Sequence, residues 1–167
     1  MMNHLKDLLV SLAQAKVKFV VCGGVAVVLH GVERMTLDLD IVLEMTTENL
    51  ERLLATLKAL SLVPRAPVPP ELLLDMEKVK WLREEKHAVA FNFIDLQNPF
   101  RQVDILLTEQ PSYDALLTDA ETLIIGETEV KIISKAKLIA MKQAVVPVRL
   151  KDLADIEALQ KSKPSQS

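Results

Sequence analysis

The sequence predicts an α+β domain with a mixed central sheet flanked by helices and a helical C-terminal end. Three observations predict it. Apolar residues recur at helical spacing at the N-terminus, from Leu5 to Ala13, and again in several later segments. Short β-branched or alternating runs are interleaved with those helices rather than gathered at one end. After Gly126 the chain reads as one more strand and then two helices, parted near Pro147.

The elements follow in order. Leu5, Leu8, Leu9, Leu12 and Ala13 lie on one face of a first helix. "VKFVVC", Val17 to Cys22, is continuous and β-branched, as a buried strand is. Gly23 and Gly24 are expected to end that strand, with a short helix from Val25 to Gly31. "LDLDIVLE", Leu37 to Glu44, alternates at period two, so Asp38 and Asp40 share one face and Leu37, Leu39 and Ile41 the other. A Thr46 or Thr47 cap opens a helix running to Leu60. Proline-rich "VPRAPVPP", Val63 to Pro70, reads as a loop into a helix over "ELLLDMEKVKWLREE". "HAVAFNFIDL" and "FRQVDILLT" form a hairpin about Asn98-Pro99. A short helix near Ser112 to Leu117 follows, then two strands turning at Gly126-Glu127. The last helices run from Lys135 to about Val145 and from Leu150 to about Lys161.

A chain of 167 residues can bury a core as one domain, placed at 1–161, with a polar flexible tail at 162–167. Half the residues are hydrophobic but only 4% are aromatic, so aliphatic side chains must build that core. A net charge of −3 argues against broad nonspecific coating of nucleic acid, and no DNA-binding motif is present. Cys22 is the lone cysteine, which excludes an internal disulfide and fits a cytoplasmic location. No apolar run reaches the roughly 20 residues of a membrane span.

The chemistry gathers at the front. Like charges roughly 6–7 Å apart along a strand, as at Asp38 and Asp40, repel and resist burial. A divalent cation removes that conflict, and carboxylates are hard ligands suited to Mg²⁺. Asp104, set in apolar "RQVDILL" on a neighbouring strand, is the natural third acid. Two ions about 3.5–4 Å apart, bridged by Asp38 and Asp40, are the arrangement that phosphoryl transfer uses, with Asp104 as general base. Gly23-Gly24 lets the backbone approach a phosphate closely. Arg34 and Thr36 add a charge and a hydroxyl near the same strand end. Taken singly, each feature has a plainer reading: the glycines as a turn, the aspartates as a solvated face, Asp104 as the ion-pair partner of Arg101. Their combination in this order is far more specific.

That combination is a known one. "GG" after a strand, then "RMTLDLDIVL", then "QVDILL" resembles the DNA polymerase β-type nucleotidyltransferase superfamily. "GGVAVVLHG-x-x-R-x-T-x-D-L-D-I" is similar to minimal nucleotidyltransferases and AbiEii-type antitoxins. "KAKLIAMKQAVVPVRLKDLADIEAL" resembles the Lys-rich helix and Arg-x-Lys-Asp segment common in them. The resemblance spans Phe19 to Glu44, Val103 to Leu107 and Ile133 to Leu159. It implies a polymerase β-like fold, phosphate contacts from Gly23 and Gly24, and metal binding by Asp38, Asp40 and Asp104. It also implies that Lys151 and Asp152 line the nucleotide side of a cleft. The expected activity is Mg²⁺-dependent transfer of a nucleoside monophosphate from an NTP to a hydroxyl. The acceptor implied is an RNA such as a tRNA end, a protein or a small molecule. The alternative is a nucleotide-binding antitoxin or regulatory module of a toxin–antitoxin pair, contacting a protein partner with little turnover. The three acids favour the enzyme. The absence of the serine often found in the glycine turn keeps the alternative open.

Other features carry less. Lys131, Lys135, Lys137, Lys142, Arg149 and Lys151 form an acid-free basic run, either a phosphate or RNA surface or a solvated face. His30 reads as structural, Met141 and Leu138 as core, and Cys22 as a small buried hydrophobe. Arg83 and His87 are too closely spaced for a ribonuclease pair, and Trp81 anchors its helix or meets a partner.

Overall fold

The computed structural model describes residues 3–162. The chain runs α1 (Asn3–Gln14), β1 (Phe19–Cys22), α2 (Gly23–Leu29), β2 (Asp38–Leu43), α3 (Thr47–Ala59), β3 (Leu62–Pro64), a 3₁₀ turn (Pro70–Leu74), α4 (Met76–Glu84), β4 (Ala90–Asp95), β5 (Gln102–Leu106), α5 (Tyr113–Leu117), β6 (Glu121–Ile125), β7 (Thr128–Ile132), α6 (Lys135–Gln143) and α7 (Leu150–Lys161). The strands form one seven-stranded sheet in the order β3-β4-β5-β2-β1-β7-β6. It is mixed: β2 runs parallel to β5 and β1 parallel to β7, while the other neighbours are antiparallel.

The core is aliphatic, as the composition requires. Leu5, Leu8, Leu9 and Leu12 of α1 are fully buried, as are Val20 and Val21 of β1 and Leu39 and Ile41 of β2. Phe91 and Phe93 alternate inward along β4, their ring centroids 5.3 Å apart. Leu37 does not join them. It lies one residue before β2 and stays 37% exposed at the cleft rim, because the sheet alternation that buries Leu39 begins only at Asp38.

Caps explain the helix starts. Thr46 accepts from the Asn49 amide and opens α3, Ser112 accepts from the Ala115 amide and opens α5, and Ser134 accepts from the Lys137 amide and opens α6. Asn49 itself is buried. Its side chain accepts from the Lys18 amide at 2.7 Å and donates to the Lys18 and Glu44 carbonyls at 2.9 Å each, tying α3 to the start of β1 and the end of β2.

Three local expectations are corrected. The double glycine ends β1 at Cys22 as expected, but α2 begins at Gly23 itself rather than at Val25, and the φ of +60° at Gly23 lets the strand pass directly into the helix. The stretch expected as a loop supplies β3, which pairs with β4 at the sheet edge, where prolines are tolerated. The single helix expected over 71–85 is broken at Asp75, whose carboxylate accepts from the Glu77 and Lys78 amides and so caps α4 as a new helix. Ser162, the first residue of the expected tail, accepts from Lys135 at 2.7 Å through its hydroxyl, and the rest of that tail lies outside the described residues.

Candidate active site

The register of the central strands builds the site. Cys22 on β1 pairs with Asp40 on β2, Asp40 with Asp104 on β5, and Asp104 with Asn92 on β4. These side chains form one row across the sheet, on the face opposite Leu39 and Ile41. Asp38 lies in the next row, paired with Gln102. The third acid thus stands beside the Asp-x-Asp pair on the adjacent strand. Arg101 does not hold Asp104; it pairs with Asp95 at 2.6 Å.

Asp104 is oriented by two amides. Its Oδ1 accepts from Asn92 Nδ2 at 2.7 Å and from Gln102 Nε2 at 3.0 Å. Gln102 Oε1 in turn accepts from Arg65 at 3.2 Å. Sequence reasoning missed Asn92, Gln102 and Arg65. A hairpin centred on Asn98 places Asn92 opposite Asp104, one residue out of step with a two-residue turn at Asn98-Pro99; Arg65 depends on β3, which its proline-rich sequence conceals.

The like charges show in the proton equilibria. Burial, then Asp104, then Asp38 push the Asp40 carboxyl up to about 6, against Lys142 and Lys151. Burial and Asp104 likewise raise Asp38, with Arg65 and Lys151 opposing. Burial and the Asp40 charge push the Cys22 thiol up to about 12, so it sits in the row as a neutral hydrophobe.

The glycines leave room that side chains would fill. A Cβ on Gly23 would lie 1.9 Å from Asp40 Oδ2. A Cβ on Gly24 would lie 2.6 Å from Thr36 Oγ1 and 3.3 Å from an Arg34 guanidinium nitrogen. The acids, both glycines, Arg34 and Thr36 all line one cleft of about 900 Å³, whose other wall comes from α6 and the start of α7.

That wall carries a charge cluster. Asp155 Oδ2 accepts from Arg34 at 2.6 Å and forms an ion pair with Lys142 at 2.9 Å. Asp152 is fully buried, with Arg149 at 2.6 Å and Lys142 at 3.5 Å. Burial pushes the Asp152 carboxyl up, but Arg149 and then Lys142 more than offset it and hold it below the usual carboxylate value. Asp152 is therefore an organiser of cations at the cleft wall, while Lys151 lines the cleft from an exposed position.

The basic run divides. Lys142, Arg149 and Lys151 reach the cleft. Lys137 pairs with Asp119 at 2.7 Å, Lys131 donates to Thr122, and Lys135 donates to Ser162. His30 is buried and bonds the Ile133 carbonyl through Nε2 at 2.7 Å, the structural role expected of it. Arg83 pairs with Glu109, not with His87. Trp81 is half exposed with the Lys86 ammonium over its ring.

The donor set suits a hard dication. Among the described residues no three His, Cys, Asp or Glu side chains close around one point. Asp38, Asp40 and Asp104 instead form an open wall of carboxylates with raised proton affinity at Asp38 and Asp40. Mg²⁺ favours that kind of site, keeping waters and adding phosphate oxygens rather than entering an all-protein cage.

The family described as "Nucleotidyl transferase AbiEii toxin, Type IV TA system" matches residues 7–167. This chain belongs to that nucleotidyltransferase family. The AbiEii description reads toxin where the sequence resemblance reads antitoxin. No curated protein matches the chain. Among solved structures, it is similar to the lincosamide antibiotic adenylyltransferase LnuA in its lincomycin-bound form. The identity is 15%, with 96% of this chain and 97% of that one covered at a TM-score of 0.64. An antigenic nucleotidyltransferase-like protein from Paracoccidioides brasiliensis is 20% identical, with 94% and 75% covered and a TM-score of 0.54. The antibiotic-resistance factor ANT(2'')-Ia is 14% identical, with 95% and 84% covered and a TM-score of 0.56. At these identities the likeness is one of fold, and the fold is polymerase β-like. Among the described residues of this AbiEii-family chain, no helix is long and apolar enough to cross a membrane.

Proposed function

We propose that this chain transfers a nucleoside monophosphate from an NTP to an acceptor hydroxyl, releasing pyrophosphate. The observation that carries the reading is the register pairing of Asp40 with Asp104, with Asp38 on the same face, on the floor of a cleft bordered by Gly23 and Gly24. Asp38, Asp40 and Asp104 would hold Mg²⁺, which when bound neutralises phosphate charge and lowers the proton affinity of a nearby hydroxyl.

The chain's own residues supply the rest. Gly23 and Gly24 admit the phosphates against bare backbone. Thr36 Oγ1 lies where a Gly24 side chain would point, so it offers a hydroxyl in place of the serine missing from the glycine turn. Arg34, Lys142 and Lys151 bring positive charge to the triphosphate side. Asn92 and Gln102 occupy one oxygen of Asp104 and leave Oδ2 to face the acceptor. The acceptor oxygen bonds to the α-phosphorus and its proton passes to Asp104. The bond from the α-phosphorus to the bridging oxygen breaks, and its electron pair leaves with pyrophosphate. Rate enhancement comes mainly from positioning and charge neutralisation.

The test is calorimetric titration of each NTP with Mg²⁺ into wild type and into the double variant Asp38→Asn, Asp40→Asn. The expected result is metal-dependent binding that the variant loses. A folded wild type that binds no NTP would remove the enzymatic reading and leave a fold used for partner contact.

A further inference from the structure

Asp155 has no part in the reaction above, yet it sits at the centre of the cleft wall. It is 6% exposed, and one of its oxygens pairs with two cations carried by two different elements, accepting a hydrogen bond from Arg34 and lying 2.9 Å from the Lys142 ammonium. Arg34 comes from the segment before β2, and Lys142 from the last turn of α6. The Arg34 nitrogen bound to Asp155 is the one that stands against Gly24. Two cations that close together repel, and only a shared carboxylate keeps them at fixed spacing.

Fastening α7 to the sheet would need only Arg34, because α6 and α7 already pack on each other. Buried ion pairs are also poor fasteners, since desolvation cancels much of their attraction. The groups are better matched to a ligand. Lys142 has three N–H groups; it donates one to Asp152 and stands in an ion pair with Asp155, so donor capacity remains for the cleft. Arg34 uses Nη1 on Asp155 and Nε on the Met35 carbonyl, leaving its other terminal nitrogen to donate.

We infer that Asp155 is a positioning residue for the triphosphate: it sets Arg34 and Lys142 at the spacing at which both donate to phosphate oxygens above Gly23 and Gly24. This rests on the nucleotidyltransferase reading. Its chemistry is specific to the phosphate chain and indifferent to the base.

The test measures binding of Mg²⁺ alone, Mg²⁺-NTP and Mg²⁺-tripolyphosphate to wild type, Asp155→Asn and Asp155→Glu. Asp155→Asn is expected to weaken NTP and tripolyphosphate alike, by tenfold or more, and to leave the affinity for Mg²⁺ alone unchanged. A general loss of structure would weaken all three. In an Arg34→Gln, Lys142→Gln background, Asp155→Asn should cost no further triphosphate affinity. Unchanged or tighter tripolyphosphate binding, or a full additive loss in that background, overturns the inference. If Asp155→Asn does not fold, Asp155→Glu decides. It keeps the buried charge and moves it by one methylene, so wild-type triphosphate affinity there also overturns the inference. A wild type that binds NTP but is insensitive at Asp155 sinks this inference alone. A wild type that binds no NTP sinks the nucleotidyltransferase reading and this inference with it.

Discussion

Ionising Asp40 in the folded, metal-free chain works against burial and against two neighbouring carboxylates. Its folded value of about 6 lies above the unfolded one, so the native state binds more protons between about pH 4 and 6. Stability of the metal-free protein should therefore fall as pH rises through that window. Asp40→Asn removes the penalty. At pH 7 it should raise the unfolding free energy by up to about 3 kcal/mol, since each tenfold in a proton equilibrium is worth about 1.4 kcal/mol. Urea unfolding without metal measures it. Metal binding runs the other way: it needs the ionised acid, so Mg²⁺ affinity should drop about tenfold per pH unit below about pH 6. Gly23→Ala tests the same spot sterically. Its Cβ would meet Asp40 Oδ2 at 1.9 Å, on a backbone with φ +60°. It should destabilise by roughly 1–3 kcal/mol and displace the carboxylate. The expected readout is a lower melting temperature together with metal-dependent NTP binding weakened at least tenfold.

At the scale of elements, Asn49 separates fold from chemistry. Its three bonds join α3 to the start of β1 and the end of β2, which lie together at one end of that antiparallel pair, away from the cleft. Asn49→Ala leaves backbone groups of Lys18 and Glu44 without their partner, at about 1 kcal/mol or more for each bond lost. A loss of about 2–4 kcal/mol in urea unfolding, with unchanged NTP affinity at a temperature where the variant is folded, is the expected result. The same scale shows where sequence reading worked. The strands β1, β2, β4 and β5 were legible from β-branched runs and period-two alternation, α1 from its apolar spacing and α3 from a cap at Thr46 or Thr47, of which the structure uses Thr46. It did less well around Pro64 and Asp75. Proline signals a break without saying what lies on either side, and Asp75 caps one helix inside a stretch whose apolar spacing reads as continuous.

For the whole molecule, ligand binding and stability are linked. If Asp38, Asp40 and Asp104 hold Mg²⁺ for an NTP, the ligand at a hundredfold excess over its Kd should stabilise the fold by about 2.7 kcal/mol. For a chain of this size that is a rise in Tm of roughly 5–10 °C. The rise should vanish without Mg²⁺ and in the Asp38→Asn, Asp40→Asn variant, and thermal unfolding with and without ligand reads both. The cleft is assembled from distant parts of the chain. Arg34 and Asp155 are 121 residues apart in sequence and 2.6 Å apart in space.

By itself, the sequence determined which candidate acids the chain offers and which face Asp38 and Asp40 share. Alternation along "LDLDIVLE" places both aspartates together, and an acid inside "QVDILL" asks for a partner on an adjacent strand. Those are local properties, set by the period of a strand and the rarity of an acid in an apolar run. Only the tertiary structure decided what those acids and cations do to one another. Strand order put Asn92 and Gln102 on Asp104, and the packing of α6 and α7 turned part of a basic run into a cluster with Asp152 and Asp155. Neither follows from spacing, because a charge's role depends on which opposite charge lies within a few ångströms, and here the chain supplies that partner from far along its length.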